Sequence, residues 1–592
     1  MKVALIFPPF VVAYQPYSSV PTLAGFLRAK GCQTELLDAN LEFLTVNLRP
    51  ESMRLLEEEA AAWIRGEFSG DVGAAERSAL KAHANRVLRG ALSHRFSRGI
   101  EEAVGMLREE ATLRSSAKAN QARDLVQAAQ NFLHHYAEMD RFIRNGGLRG
   151  PEPPTWDELL QEVRVERRYA RFCAQVVRPW LDVRSPDLIG ISVVFEEQLI
   201  PALAFASVLR RSPRRTPLVL GGPALTVLKE KICQDGRLFD FCDFVAVHEG
   251  EPALEGLIGH LSGRTPRDRI PNVLYRDGSR VRVNPMEVVE NLDALPPPSY
   301  DGLPLDRYLT PRLVPILKPT RGCYWGRCAF CNTSYLNNGT RYRSRAPERV
   351  LEDMRTLERR SGATCFEIWD EASPPRFLRQ FSRLLVDRGS PYRWSCELRL
   401  DRSFTRELCS LMHDAGCRAV VFGLESGSQR MQDRMHKGYR LEVCRQVIRN
   451  AAQAGLRVYL TLMVGFPGER PRDVFETMEL VEQQRRCIGH AGVSLFHLRD
   501  FTPVHKRAPE FGVSLAPWRT STVAPGGDLG YTCRHGMRLP QAVQLYEVVR
   551  QRLHEMGLAG TEPICHYLLR TSDRAMEGGR WRNRGAERSV GA

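Results

Sequence analysis

Short apolar runs that end on glycine, proline or an acid alternate with stretches of helical periodicity, and this alternation falls into two blocks separated by a long polar segment. In the first block KVALIF (2–7) and TELLD (34–38) read as strands around a helix near 19–30. The pattern resumes after residue 187 with DLIGISVV, a helix near 198–211, TPLVLGGP and DFVAVHEGEPAL. Repeated strand–helix–strand units predict an α/β fold with a doubly wound parallel sheet. Ligands of such sheets lie beyond the carboxyl ends of the strands, which selects Pro8–Tyr17, Ser192–Glu197, Gly221–Pro223 and Glu249–Glu251.

The intervening segment, 51–180, is rich in Glu, Ala and Arg. Its Leu125, Ala129, Phe132, Leu133, Tyr136, Met139 and Ile143 recur at helical spacing. It reads as a helical insertion, a packing or lid element in which nothing has metal-ligand spacing, with a loop at Gly147–Pro154. The sheet domain is therefore split into 1–50 and 181–270. A small hairpin around Asp277-Gly278 and a proline-rich linker occupy 271–311. From 312 to 500, LVPILKPT, CFEIWDE, YRWSCELRL, AVVFGLES and RVYLTLMVGFPG alternate with amphipathic helices. Fewer than eight such repeats predict a partial β/α barrel. Residues 501–571 are expected to be a small α-rich region that closes the barrel mouth and shapes substrate choice. The last stretch, 572–592, has few apolar side chains and is expected to be disordered.

Composition narrows the class. At 592 residues the chain is too long for one core. No run of 18 apolar residues appears, which excludes a spanning helix from the expectation. Pro8 and Pro9 stand where a signal peptide would need small residues, so the terminus reads as the first strand of a cytoplasmic enzyme. The net charge of +15 is dispersed and not gathered in an arm, so neither a nucleic-acid nor a membrane partner is expected. Fifteen cysteines without a secretory signal point to thiols, metal ligation or catalysis.

The strongest chemical signal is RGCYWGRCAFCN (321–332), where Cys323, Cys328 and Cys331 follow a strand with C-x4-C-x2-C spacing. Three thiolates in one loop can hold three irons of a [4Fe-4S] cluster and leave the fourth iron open. Zinc is the rival, although it would call for a fourth ligand from outside the loop. Cys396, Cys409, Cys417, Cys444, Cys487, Cys533 and Cys565 show no second clustered spacing, so one cluster is expected.

This loop resembles that of the radical SAM superfamily, whose open iron binds S-adenosylmethionine (SAM); the usual spacing there is C-x3-C-x2-C, one residue shorter. The resemblance implies SAM contacts at Phe330, which flanks adenine, and at Asp370 in FEIWDE. It also implies contacts at Glu397 in WSCELR, Glu425 and Ser426 in GLESGS, and Gly465 and Phe466 in VGFPGE. The N-terminal block is similar to the cobalamin-binding domain that precedes the barrel in one branch of that superfamily. On that resemblance Pro9, Phe10, Tyr14, Ser192, Phe195, Glu196, Gly221, Gly222, Glu249, Gly250 and Glu251 face cobalamin. The D-x-H-x-x-G motif is absent and His248 has the wrong surroundings, so a histidine lower ligand to cobalt is not expected. A degenerate sheet without cofactor stays open as the alternative.

Together the two resemblances imply a cobalamin-dependent radical SAM C-methyltransferase. Its cofactors are a [4Fe-4S] cluster, SAM as methyl and radical source, and cobalamin as methylcobalamin. Catalytic groups beyond the cofactors are not assigned. LKPTRGCYWGRCAFC and the opening FPPF resemble the subset that matures ribosomal peptides, which implies a peptide or small-molecule natural-product substrate. The electron donor would be external, such as a flavodoxin or ferredoxin. A non-methylating rearrangement, cyclisation or oxidation with the same cofactors is the alternative, and a non-catalytic metal-binding or nucleic-acid module is the third possibility.

Overall fold

Along β1 (Lys2–Phe7) side chains alternate between two apolar layers, with Ala4 and Ile6 entering one and Val3, Leu5 and Phe7 the other. A strand buried on both faces needs apolar residues at successive positions, which is why KVALIF has no polar residue after Lys2. In this computed structural model β1 lies between β2 (Gln33–Asp38) and β3 (Leu188–Ser192), and β4 (Leu218–Gly221) and β5 (Phe244–Ala246) continue the sheet. All of these pairs are parallel. Helices Ser19–Ala29 and Gly250–Leu261 cover one face; Leu199–Arg210 and Pro223–Asp235 cover the other. The expected doubly wound sheet is thus present, with its topological switch at β1/β3. β6 (Val273–Asp277) and β7 (Arg280–Val283) form the hairpin, but β6 pairs antiparallel with β5. The hairpin extends the sheet and does not belong to a free linker.

The structure describes the chain apart from residues 10, 69–72, 146–153, 338, 340–341, 518–522, 524–529, 560–561 and 573–592. Phe10, nearly all of the 147–154 loop and nearly all of the tail therefore lie outside the described residues.

Between β2 and β3 the insertion is helical, from Pro50–Arg65 to Arg178–Arg184. The apolar stripe read from the sequence lies on its central helix, Ser116–Arg144, and packs against Met53, Ala60 and Trp63 of one neighbour and Leu80, Ala84 and Leu88 of another. Trp63 stacks on Tyr136 with centroids 4.6 Å apart.

The second sheet runs β8 (Ile316–Leu317), β11 (Cys365–Ile368), β12 (Arg393–Leu398), β13 (Cys417–Glu425), β14 (Arg457–Val464), β15 (His490–Leu495), all parallel. Between β8 and β11, the short strands β9 (Thr320–Arg321) and β10 (Arg343–Ser344) form an antiparallel ribbon. Six parallel strands with helices between them make the expected partial barrel.

The C-terminal region divides its work. Helix Leu539–Glu555 packs on β15 and β14. The final helix Ile564–Ser572 lies against β11, β12 and β13. Its Cys565, Leu568 and Leu569 meet Cys365 at the start of β11 and Val314 ahead of β8. This helix therefore plugs the amino-terminal end of the barrel, opposite the mouth it was expected to close. His566 is fully buried there; its Nε2 donates to Leu309 O (2.7 Å) and Arg123 Nη1 donates to its Nδ1 (3.1 Å). Among the described residues, no helix is long and apolar enough to cross a membrane.

Candidate active-site cleft

The two sheets meet with their carboxyl ends facing one cleft of about 1430 Å³, counting its open mouth. Ser192, Gly221, Gly222 and the Glu249–Glu251 turn line it from the first sheet; Lys318, Arg321, Gly322, Trp369 and Glu371 line it from the barrel. Gly221 and Gly222 make a floor without side chains. A Cβ on Gly222, at φ +125°, would lie 2.2 Å from Val193 O, and one on Gly221 would lie 3.2 Å from the Ala246 Cβ. Tyr17 bridges the domains: it stacks on Phe7 (5.4 Å) and meets Phe195 (5.3 Å) and Trp369 (6.0 Å) edge-on.

Ser192 Oγ donates to Ser19 Oγ at 3.0 Å. Among the described residues, Pro9, Tyr14, Phe195 and Glu196, also expected at the cofactor, do not line the cleft. Tyr14 instead packs edge-on against His566 (5.1 Å), and burial pushes its phenol well above the usual range. Phe195 acts through Tyr17, Pro9 is buried, and Glu196 lies in a short 3-10 turn. His248, set aside on sequence, does line the cleft. It adopts φ +59°, its Nδ1 lies 3.3 Å from Leu336 O, and its Nε2 is buried without a hydrogen-bond partner.

Glu249 and Glu251 are committed. Arg321 Nη1 donates to Glu249 Oε2 (2.8 Å) and Glu251 Oε2 (3.2 Å), Arg321 Nη2 pairs with Glu251 Oε1, and Arg343 pairs with Glu249 Oε1. Val289 N also donates to Glu249 Oε2 at 2.7 Å. The guanidinium of Arg343 is foremost among the interactions that hold the Glu249 carboxyl below its usual range against the effect of burial. Arg321 stands two residues before Cys323, so this network joins the first sheet directly to the cysteine loop.

Cys323, Cys328 and Cys331 are half-buried free thiols in that loop. Gly326, at φ +61°, supplies the left-handed turn that the longer spacing needs. The extra length is packed, not loose: Trp325 Nε1 donates to His436 O (2.9 Å), and a Cβ on Gly438 would lie 2.4 Å from the indole. Arg399 Nη1 lies 3.9 Å from Cys328 Sγ, and Thr333 N donates to Cys331 Sγ at 3.4 Å. Among the described residues, the only cysteine, histidine or acidic set whose ligand atoms all fall within 4.8 Å of one another is elsewhere. The three sulfurs are thus spread more widely than one zinc ion with bonds of about 2.3 Å would hold them, a spread that suits separate irons.

Around the barrel mouth, Phe330 is half-buried beside Phe466, Met463 and Phe496, with Lys437 Nζ 5.5 Å from its ring. Glu425 sits at φ +65° beyond a bulge in β13; its Oε1 lies 3.2 Å from the buried Lys437 Nζ. Ser426 is turned inward, 3.2 Å from Thr477 Oγ1. Gly465 N donates to Glu469 Oε2 at 2.5 Å, and Phe466 meets Phe496 edge-on (5.2 Å). Asp370 is occupied by Thr320 N (2.9 Å) and Ser373 Oγ (2.7 Å), which ties β11 to the cysteine ribbon; its neighbour Glu371 reaches the cleft. Glu397 is pushed up to about 7 by burial and then by Glu371, with Lys318 opposing. Glu367, buried under Trp369 Nε1 (2.8 Å) and Gln15 Nε2 (3.0 Å), is also pushed up to about 7 by burial.

Sequence reasoning missed Arg321, Trp369 and Glu371, although all lie within or beside the quoted motifs. It also missed Arg399, although that residue closes the quoted WSCELR motif, and Arg343 and Lys437, for which no local signal exists.

Residues 317–481, which carry the cysteine loop and most of the partial barrel, match the model of the radical SAM superfamily. Over 97% of this chain and 98% of the other, the fold is similar to that of the radical SAM methyltransferase TsrM from Kitasatospora setae, solved with cobalamin and a [4Fe-4S] cluster, at TM-score 0.58 and 14% identity. The cobalamin-dependent SAM radical enzyme OxsB is similar over 68% of this chain and 63% of its own, at TM-score 0.53 and 17% identity. Among curated proteins, an uncharacterized methyltransferase of Pyrococcus horikoshii is 28% identical over 50% of this chain and 64% of its own length. The cytidylyl-2-hydroxyethylphosphonate methyltransferase of Streptomyces wedmorensis is 24% identical over 48% and 58%. The chain thus spans less than two thirds of the length of these two relatives.

Proposed function

We propose that this protein is a cobalamin-dependent radical SAM methyltransferase that methylates an unactivated carbon of a peptide or other natural-product intermediate. The observation that carries the reading is the shared cleft, in which the carboxyl ends of both sheets face the same volume and Arg321 and Gly322, the residues leading into Cys323, form part of its wall. The residues fit the groups: Gly221 and Gly222 line the cleft without side chains, the buried His248 Nε2 has no hydrogen-bond partner and offers a polar contact, and three free thiols in one loop suit a cluster with one open iron. When bound, the cluster and SAM would supply the radical that takes hydrogen from substrate, and cobalamin would supply the methyl group.

The chain's own side chains orient and enclose. Cys323, Cys328 and Cys331 hold the cluster, and Arg399 and Lys437 place positive charge beside Cys328. Glu371 and Glu397 would hold the amino and hydroxyl groups of SAM, and Phe330 and Phe466 would hold its adenine. Tyr17 and Trp369 exclude water between the two halves, which protects a radical from quenching. Electrons come from an external flavodoxin- or ferredoxin-type donor.

The test is anaerobic reconstitution with iron, sulfide and hydroxocobalamin, then reaction with SAM, reductant and candidate peptides. Release of 5′-deoxyadenosine with a product heavier by one CH2 supports the reading. Release of 5′-deoxyadenosine with a product of changed connectivity but no added carbon would overturn methyl transfer.

A further inference from the structure

The helical insertion holds a cluster that the cleft does not use. The central helix Ser116–Arg144 carries the run HHYAE, and its His134, His135 and Glu138 each bring one ligand atom within 4.8 Å of the other two. The expectation that nothing in this segment has metal-ligand arrangement is corrected here: on a helix, positions four apart stack one turn above another, so His134 meets Glu138. His135 Nδ1 lies 3.7 Å from Glu138 Oε2 and has no hydrogen-bond partner although buried. A third imidazole, His83, lies on the neighbouring helix Ala74–Leu92. His83 interacts electrostatically with both Glu138 and His135, and its buried Nε2 likewise has no hydrogen-bond partner. Its ring is fixed edge-on against Phe142 (5.6 Å), and because Arg86 donates to its Nδ1 (2.6 Å) its proton lies on Nε2, so His83 borders the cluster as a donor and not as a ligand. Arg141, the nearby cation on the same helix, is drawn away toward Glu162 and Glu166, each 3.7 Å distant.

We propose that His134, His135 and Glu138 form a divalent transition-metal site of the zinc class on this helix, with a coordination position left to water. Imidazoles with a single carboxylate suit zinc-class ions and not calcium or magnesium, which want oxygen ligands. Bonds of about 2 Å to one ion draw the ligand atoms closer than 4.8 Å, a contraction that rotation of the three side chains supplies.

The site is tested on the full chain, stripped with a mild chelator and titrated with Co2+ as a spectroscopic probe, beside His135→Asn and Glu138→Gln variants. The expected result is one visible-band Co2+ site of nitrogen and oxygen character, free of thiolate charge-transfer absorption and lost in both variants. Zinc should raise the wild-type Tm and leave that of the variants unchanged, with all three proteins melting alike when metal-free. Cobalt uptake that shows only thiolate bands, or that is unchanged in the variants, would overturn the proposal, as would absence of any zinc-dependent Tm shift in wild type.

Discussion

Two groups of buried carboxylates, one on each sheet, are treated oppositely. Glu249 and Glu251, on the first sheet, are buried but bracketed by Arg321 and Arg343, and Glu249 is held below its usual range. Glu367 and Glu397, in the barrel, have only hydrogen bonds or the distant Lys318 to offset burial, and both are pushed up to about 7. A buried acid given a matched guanidinium is part of the scaffold, because removing the cation leaves an uncompensated charge. A buried acid left short of cations is held ready for one that arrives with a ligand. On that logic the HEGEP turn is a latch between the sheets, and the barrel acids are buried groups without a matched cation of their own.

The largest effect should come from breaking the latch. Arg321→Met is expected to cost about 3–5 kcal/mol, read as a lower urea midpoint, because two buried carboxylates lose their shared partner. A loss under about 1 kcal/mol would show that the pairing is solvent-screened and the comparison empty.

Next comes the pH dependence of the barrel acids in the ligand-free protein. The folded-state value for Glu367, about 7, lies above its ordinary 4.5, so the folded state binds the proton more tightly than the unfolded one. Its stabilisation is fully present below the ordinary value and is lost as pH rises through 7. Urea unfolding should therefore show about 3 kcal/mol of stability lost between the two limits, absent in Glu367→Gln. A wild-type and variant pair with parallel pH profiles would contradict this.

A smaller effect is expected at the floor. Gly222→Ala places a Cβ against Val193 O at a backbone angle that L residues avoid, costing about 1–3 kcal/mol and lowering the cobalamin retained after gel filtration. Retention equal to wild type would remove the glycine floor from the cofactor site. His248→Ala should be the mildest, leaving Tm unchanged and weakening cobalamin binding by roughly tenfold, about the value of one hydrogen bond in a buried site. An unchanged affinity would return His248 to a packing role.

The same contrast explains what was legible in the sequence. β1 and β3 could be read because double burial forces apolar runs, and the barrel because its strands recur between amphipathic helices. The cysteine loop could be read because its three ligands are local. Whether Glu249 and Glu251 meet ligand or arginine could not, since Arg343 lies far along the chain and acts only after the sheets dock. Tyr14 and Tyr17 share one loop, and only the packing of the final helix against Tyr14 decides that Tyr17 is the one at the cleft. The edge pairing of β6 with β5 was hidden for the same reason: a hairpin announces its turn but not its neighbour.

The central claim is that one cleft receives both cofactors, and the most direct test is electron paramagnetic resonance of the reconstituted protein holding cob(II)alamin and a reduced cluster together. The account predicts dipolar broadening of the cob(II)alamin signal that appears when the cluster is reduced and disappears in Cys328→Ala. Full occupancy of both sites with an unbroadened cobalt signal would contradict it.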